Sequence, residues 1–231
     1  MNLQERSLQK ELLDAADIPF EDIKKNMQEL DTVNRLLGGH QITLQGLQAI
    51  MGASTKKIKI CEIGCGGGDN LRAVYEYCKR KNIAVELTGI DIKKECIDYA
   101  VERNAGLPAR WICSDYRLAD LSSIAPDIVF SSLFCHHFTK EELIKMMGWM
   151  KENCQAGFFV NDLQRHSLAY YSIKWLTRLF SKSYLVKNDA PLSVARGFVK
   201  KEWQEIFSQA GIPDFSINWK WAFRYLIVYT K

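Results

Sequence analysis

The chain has 231 residues, 47% of them hydrophobic and 25% charged, with a net charge of +4. That length suits one good core with extra helices, and the composition is globular, not disordered. The charge is too mild for a nucleic-acid binder, and no stretch reaches about 18 apolar residues, so neither a nucleic-acid partner nor a transmembrane segment is expected. Seven cysteines without C-x-x-C spacing predict a reducing, cytoplasmic setting, and the first residues lack the apolar core of a signal peptide.

The first 52 residues read as helical. Ile23, Met27, Leu30, Val33 and Leu37 recur at helical spacing, Gly38-Gly39 stops that helix, and a short helix from Thr43 to Met51 follows. A strand near 57–63 then runs into Glu62-Ile63-Gly64-Cys65-Gly66-Gly67-Gly68-Asp69, a turn too glycine-rich to carry side chains, and a helix near 69–81. A second strand near 84–90 ends in Asp91, and a helix near 93–104 follows. A third, near 109–113, leads into Ser114-Asp115-Tyr116. A fourth, near 127–132, has the tip Cys135-His136-His137-Phe138 and precedes a helix near 139–152.

A fifth strand near 156–161 ends in the polar run Asn161-Asp162-Leu163-Gln164-Arg165-His166, where Asn161 and Asp162 read equally as caps of the following helix. After it, Ser167–Lys182 reads as a helix with a broad apolar face and Lys174, Arg178 and Lys182 opposite, and 181–191 as an exposed turn. This insertion is too long for a plain loop; a lid over an apolar pocket, a helix lying on a membrane surface and a dimer contact all fit it. Lys200–Ala210 is a helix stopped by Gly211 and Pro213. Phe215–Trp219 and Trp221–Tyr229 are strands so closely joined that they must pair antiparallel. Strands alternating with helices predict an α/β fold with a doubly wound parallel sheet.

The glycine turn carries the chemistry. A dinucleotide fingerprint would need a third glycine at position 69, which is Asp69, and two acids, Glu62 and Asp69, would repel a pyrophosphate. They would not repel S-adenosylmethionine, which carries an ammonium and a sulfonium and no phosphate. The run resembles the class I S-adenosylmethionine-dependent methyltransferases, whose first motif reads E/D-x-G-x-G-x-G, and the His-His-aromatic tip is similar to the ubiquinone and menaquinone biosynthetic type. The resemblance covers about residues 55–161. It implies a Rossmann-like, seven-stranded sheet with an antiparallel last strand. It further implies an N-terminal helical cap (1–52) and a methyltransferase domain (53–231) with a helical lid insertion at about 163–199. Helices that merely pack on the sheet edge account for the first 52 residues equally well.

The same resemblance implies S-adenosylmethionine as cofactor and S-adenosylhomocysteine as product. Glu62, Gly64, Cys65 and Gly66 would cradle the donor, and Asp91 would accept from both ribose hydroxyls. Ile92 would pack on the adenine, as a plain core residue also could. Asp115 would meet the adenine amino group beside Ser114 and Tyr116, or cap a helix, or do both. Ser131 would lie beneath the methyl donor.

Methyl transfer is an in-line displacement, so the enzyme aligns the nucleophile and, for a hydroxyl, removes its proton. The histidines His137, His136 and His166 are the candidate bases. On an extended tip, adjacent side chains point opposite ways, which favours His137 alone. Arg165, Tyr171 and Arg196 are the candidate substrate contacts. No H-x₃-H or C-x-x-C spacing marks a metal site. The expected reaction is methylation of a small molecule, at an oxygen of an aromatic or polyketide-like metabolite. C-methylation of a lipophilic quinol precursor, and methylation of RNA or protein, are the alternatives. A monomer or homodimer with peripheral membrane contact is compatible with this reading.

Overall fold

The computed structural model describes residues 2–15, 17–52 and 57–231. Two helices come first, α1 (Phe20–Leu36) and α2 (Gly39–Met51). Then follow β1 (Ile58–Ile63), α3 (Asp69–Arg80), β2 (Val85–Asp91), α4 (Lys94–Arg103), β3 (Ala109–Cys113), β4 (Ile128–Ser132), α5 (Lys140–Asn153) and β5 (Gly157–Leu163). The chain ends with α6 (Ser167–Phe180), α7 (Tyr184–Arg196), α8 (Lys200–Gln209), β6 (Ser216–Lys220) and β7 (Arg224–Thr230).

The sheet order is β3-β2-β1-β4-β5-β7-β6, with β7 antiparallel to both neighbours. This is the seven-stranded, Rossmann-like α/β architecture expected. Buried on both faces, the central strands read as continuous apolar runs. One face packs Ile60, Phe130, Phe159 and Leu226 against α2 and α3; the other packs Val129, Phe158 and Val160 against α5 and α8. The order reverses between β1 and β4, so the crevice beyond their carboxyl ends is where such a sheet binds ligands. Because β7 runs antiparallel, its first residue, Arg224, lies at that same edge.

Three local expectations are corrected. The helix α2 begins at Gly39, four residues earlier than expected, because Gly38 alone absorbs the corner with φ +76°. Residues 181–191 are not an exposed turn: Ser183 caps α7, accepting from the Val186 N–H at 3.4 Å, and Leu185, Val186, Asp189 and Pro191 are buried. A proline inside a helix loses one hydrogen bond, and burial of α7 outweighs that loss. The tip of β4 is not extended. Leu133 takes φ +52°, and Cys135–His137 coils into a 3-10 turn, so the two histidines stand side by side with ring centroids 4.5 Å apart.

Ahead of α1, residues 3–15 cross the carboxyl edge as a strap. The Ser7 N–H donates to the Ala195 carbonyl (3.0 Å), and the Leu12 and Leu13 N–H groups donate to the Asp189 carboxylate (2.8 and 2.9 Å). Arg6 donates to the carbonyls of Arg196 and His136, 2.6 Å each. Among the described residues no helix is long and apolar enough to cross a membrane.

Candidate active site

The glycine turn is built around Asp91. Its carboxylate accepts from the Gly66 N–H and from the Lys93 N–H, 2.9 Å each, which fixes it between the β1 turn and the start of α4. Burial raises its pKa above the ordinary range. Gly64 must be glycine on two counts: φ is +68°, and a Cβ would lie 2.2 Å from the Phe134 ring. Gly66, at φ +49°, faces open space, so a ligand can reach its backbone. Cys65 is buried in the core beneath the turn. Ile92 is 67% exposed beside Asp91, an unusual position for a branched apolar side chain.

Other expected contacts are engaged elsewhere. Asp115 caps the 3-10 turn Tyr116–Leu118 and forms a fork with Arg117, which holds its carboxyl below the ordinary range and fills its lone pairs. Ser114 donates to the Asp115 carbonyl. Tyr116 is a core residue, edge-on to Trp149 at 5.1 Å. Ser131 is fully buried and pairs with Cys135 Sγ on the α5 face, because strand alternation turns it away from Ser132. Arg165 is locked by the Glu202 carboxylate and the Gly197 carbonyl, so it is not a free anion contact. Arg196 is likewise spent on the carbonyls of His136 (3.1 Å), His137 (2.8 Å) and Gln9 (2.7 Å). His166 is exposed; its Nδ1 caps α6 at Leu168 and its ring stacks on Phe223, apart from the other histidines. Tyr171 is half exposed on α6.

A polar row crosses the α2 face at the carboxyl edge. Alternation places Glu62, Ser132, Asn161 and Arg224 two residues beyond Ile60, Phe130, Phe159 and Leu226 on that face. Asn161 Nδ2 donates to the Gly39 carbonyl, Thr43 Oγ1 and Ser132 Oγ. Thr43 donates to Asn70, and Asn70 donates to Glu62 Oε1 at 3.1 Å. Arg224 donates to Asn34 at 2.8 Å. Four atoms of the row are buried without a partner: Glu62 Oε2, Asn161 Oδ1, and Arg224 Nε and Nη1. Burial, then Asp69 and Asp91, push the Glu62 carboxyl well above its ordinary pKa, and burial lowers Arg224 to about 10. Only Glu62 and Asn161 stood out in the sequence. Arg224 carries no motif, and its place follows from the antiparallel last strand.

On the other side of β4, the histidines meet the strap. His136 is almost fully buried; its Nδ1 lies 2.7 Å from Asp162 Oδ1, and its Nε2 lies 3.6 Å from Glu11 Oε1. His137 Nδ1 lies 3.2 Å from Asp14, and its Nε2 lies 3.8 Å from Glu11 Oε2. Burial raises the Glu11 pKa. Glu11 and Asp14 had no signal in the sequence, being more than 120 positions from the histidines. A cleft of about 440 Å³ opens beside them, lined by Arg6, Leu8, Lys10, His137, Phe138 and Glu142 among others.

Residues 60–157 match the family model of a methyltransferase domain. That match spans less than half of the chain, from β1 to the start of β5, and includes the glycine turn and Asp91. No curated protein matches the chain's sequence. Similar solved structures share the fold at low identity. The plantazolicin methyltransferase BpumL, in complex with a triazolic desmethylPZN analog and SAH, superposes with a TM-score of 0.67 at 17% identity, covering 91% of each chain. Magnesium protoporphyrin IX methyltransferase from Synechocystis PCC 6803, with bound SAH, gives 0.57 at 13%, covering 94% of this chain and 89% of that one. Human N-acetylserotonin methyltransferase in complex with SAM gives 0.62 at 18%, covering 91% of this chain and 56% of that one.

Proposed function

We propose that this methyltransferase transfers a methyl group from S-adenosylmethionine to an oxygen of a small-molecule acceptor seated in the cleft beside His137. The observation that carries the donor half is the set of partnerless atoms in the polar row. Two acceptors, Glu62 and Asn161, and the free N–H groups of Arg224 are the partners that a zwitterionic amino-acid head needs when it leaves water for a buried site. Asp91 would take the ribose hydroxyls, and Ile92, otherwise left in water, would pack on the adenine. Bound there, the donor supplies a methyl carbon already activated by its sulfonium.

The acceptor half rests on the cleft. Its volume suits a small molecule, and the exposed Lys10 favours an acidic or hydroxylated one. His137 lines it, with Asp14 against Nδ1 to fix the tautomer, and would accept the acceptor's proton at Nε2. His136, buried on Asp162, would hold His137 in place by contact. The neighbours named as methyltransferases of plantazolicin, magnesium protoporphyrin IX and N-acetylserotonin carry the same fold, and their variety leaves the acceptor to the cleft.

Calorimetry with S-adenosylhomocysteine tests the donor half. Asp91→Ala is expected to weaken binding about 10–100-fold, the loss of charged hydrogen bonds. A screen of phenols, enols and carboxylic acids with methyl-labelled donor tests the acceptor half. His137→Ala should then lower kcat by about 10²–10⁴-fold at unchanged donor affinity. Unaltered turnover in that variant would leave a mechanism of alignment alone.

One observation favours a lipophilic acceptor collected at a membrane surface. On α6 the side chains Leu168, Tyr171, Trp175, Leu176, Leu179 and Phe180 are 45–77% exposed. From 163 to 188 the chain has no acidic residue, while Arg165, Lys174, Arg178, Lys182 and Lys187 are basic.

A further inference from the structure

Glu11, His136 and His137 turn three potential ligand atoms toward one another. Their ligating atoms all lie within 4.8 Å of each other, and Glu11 and His136 are buried. Each imidazole has a carboxylate on its far nitrogen, Asp162 on His136 Nδ1 and Asp14 on His137 Nδ1. A neutral imidazole donates from the nitrogen that faces a carboxylate, so both Nε2 atoms are left as bare lone pairs. These face Glu11, with Oε1 at 3.6 Å from His136 and Oε2 at 3.8 Å from His137, and Oε1 also accepts from Ser193 Oγ at 2.8 Å.

We infer that Glu11, His136 and His137 form a binding site for a late first-row divalent cation, with Zn²⁺ the best fit. Zinc takes nitrogen at about 2.0–2.1 Å and carboxylate oxygen at about 2.0–2.2 Å, which sets tetrahedral ligands roughly 3.3 Å apart. The histidine–glutamate gaps, each to a different oxygen of the carboxylate, exceed that by half an ångström or less. The outer carboxylates supply the histidine orientation that metal sites use, and two imidazoles with one carboxylate select zinc over magnesium or calcium. His137 also lines the cleft, so a fourth ligand can approach from that side. Charge agrees: Glu11, Asp14 and Asp162 outnumber the nearby Arg6 and Arg196, and a cation reverses the surplus. The second such cluster, Asp31, His40 and Asp69, offers one imidazole, whose Nε2 is already paired with Asp69 at 2.8 Å.

The site has a consequence for turnover. Bound metal occupies the His137 Nε2 that proton acceptance needs, and it ties Glu11 of the strap to the tip of β4. Zinc therefore inhibits. That consequence rests on the proposed role of His137, whereas binding itself does not.

The test is calorimetry of the whole chain with Zn²⁺, in a Cys113→Ser background because that thiol is exposed. One equivalent is expected to bind at micromolar concentration or below and to raise the melting temperature, with Mg²⁺ inert. Glu11→Gln, which keeps the shape of the side chain, and His137→Ala, at a partly exposed position, should each weaken binding at least tenfold. His40→Ala should not. Absence of zinc binding, or binding that both variants retain, overturns the site. Zinc that binds with these dependences yet leaves donor-dependent turnover intact would keep the site and remove His137 as the base.

Discussion

Glu62 and Arg224 are charged side chains held where part of each finds no partner, and each predicts its own behaviour. For Glu62 the folded state raises the carboxyl pKa above its unfolded value. Between those two values the folded state carries the extra proton, so stability falls as pH rises through that window. An ammonium set against Oε2 favours the ionised form, so binding of S-adenosylhomocysteine within that pH window should release a proton. Calorimetry in two buffers of different ionisation enthalpy reads this as an enthalpy difference that Glu62→Gln abolishes; equal enthalpies for the wild type throughout the window would count against an ammonium there. For Arg224 the unpartnered cation weakens the apo fold. Arg224→Met should raise the apo melting temperature by about 2–4 °C per kcal/mol recovered. It should weaken S-adenosylhomocysteine binding about tenfold and leave 5′-methylthioadenosine, which lacks the amino-acid head, unaffected. Equal losses for both ligands would move the carboxylate contact elsewhere.

At the scale of elements, the glycine turn separates stability from binding. Gly64→Ala adds a methyl that meets the Phe134 ring and forces a left-handed backbone, and should cost about 2–5 kcal/mol in urea unfolding. Gly66→Ala adds a methyl that meets nothing, so its cost should stay near 1–2 kcal/mol while donor binding is lost, because the methyl fills the approach to the backbone. Loss of binding in neither variant would place the donor off this turn. This turn was readable from the sequence because glycine, acid and strand end lie within eight residues of one another. The tip of β4 was not, since its 3-10 coil depends on one positive φ at Leu133, and an alternating reading cannot show it. Pro191 misled for the opposite reason: a local breaker signal was overridden by burial of α7 between α6 and the strap.

Across the whole molecule, the alternating strands and helices were legible from periodicity and the seven-stranded sheet from the family resemblance, while the groups around the cleft were not. Its parts, Glu11, Asp14, His137 and Arg196, come from the strap, the tip of β4 and the end of α7, and only tertiary packing unites them. The exposed face of α6 belongs to this scale too. The protein should co-sediment with vesicles containing phosphatidylglycerol and less with neutral ones, and the double change Leu179→Asp and Phe180→Asp should abolish this. Unchanged sedimentation with vesicles, alongside a dimer that the double variant splits, would assign the face to a second copy.

Arg6 and Arg196 both donate to the carbonyl of His136, from 130 residues upstream and 60 residues downstream. Synthesis releases the strap long before α7, and domains fold as the chain emerges. The strap's docking surface is therefore incomplete until residue 196 has left the ribosome. Arg224 of the polar row follows later still, on the strand that pairs with β5. A nascent chain thus completes neither its hold on a reactive methyl donor nor the groups around the cleft until the last strand has joined the sheet.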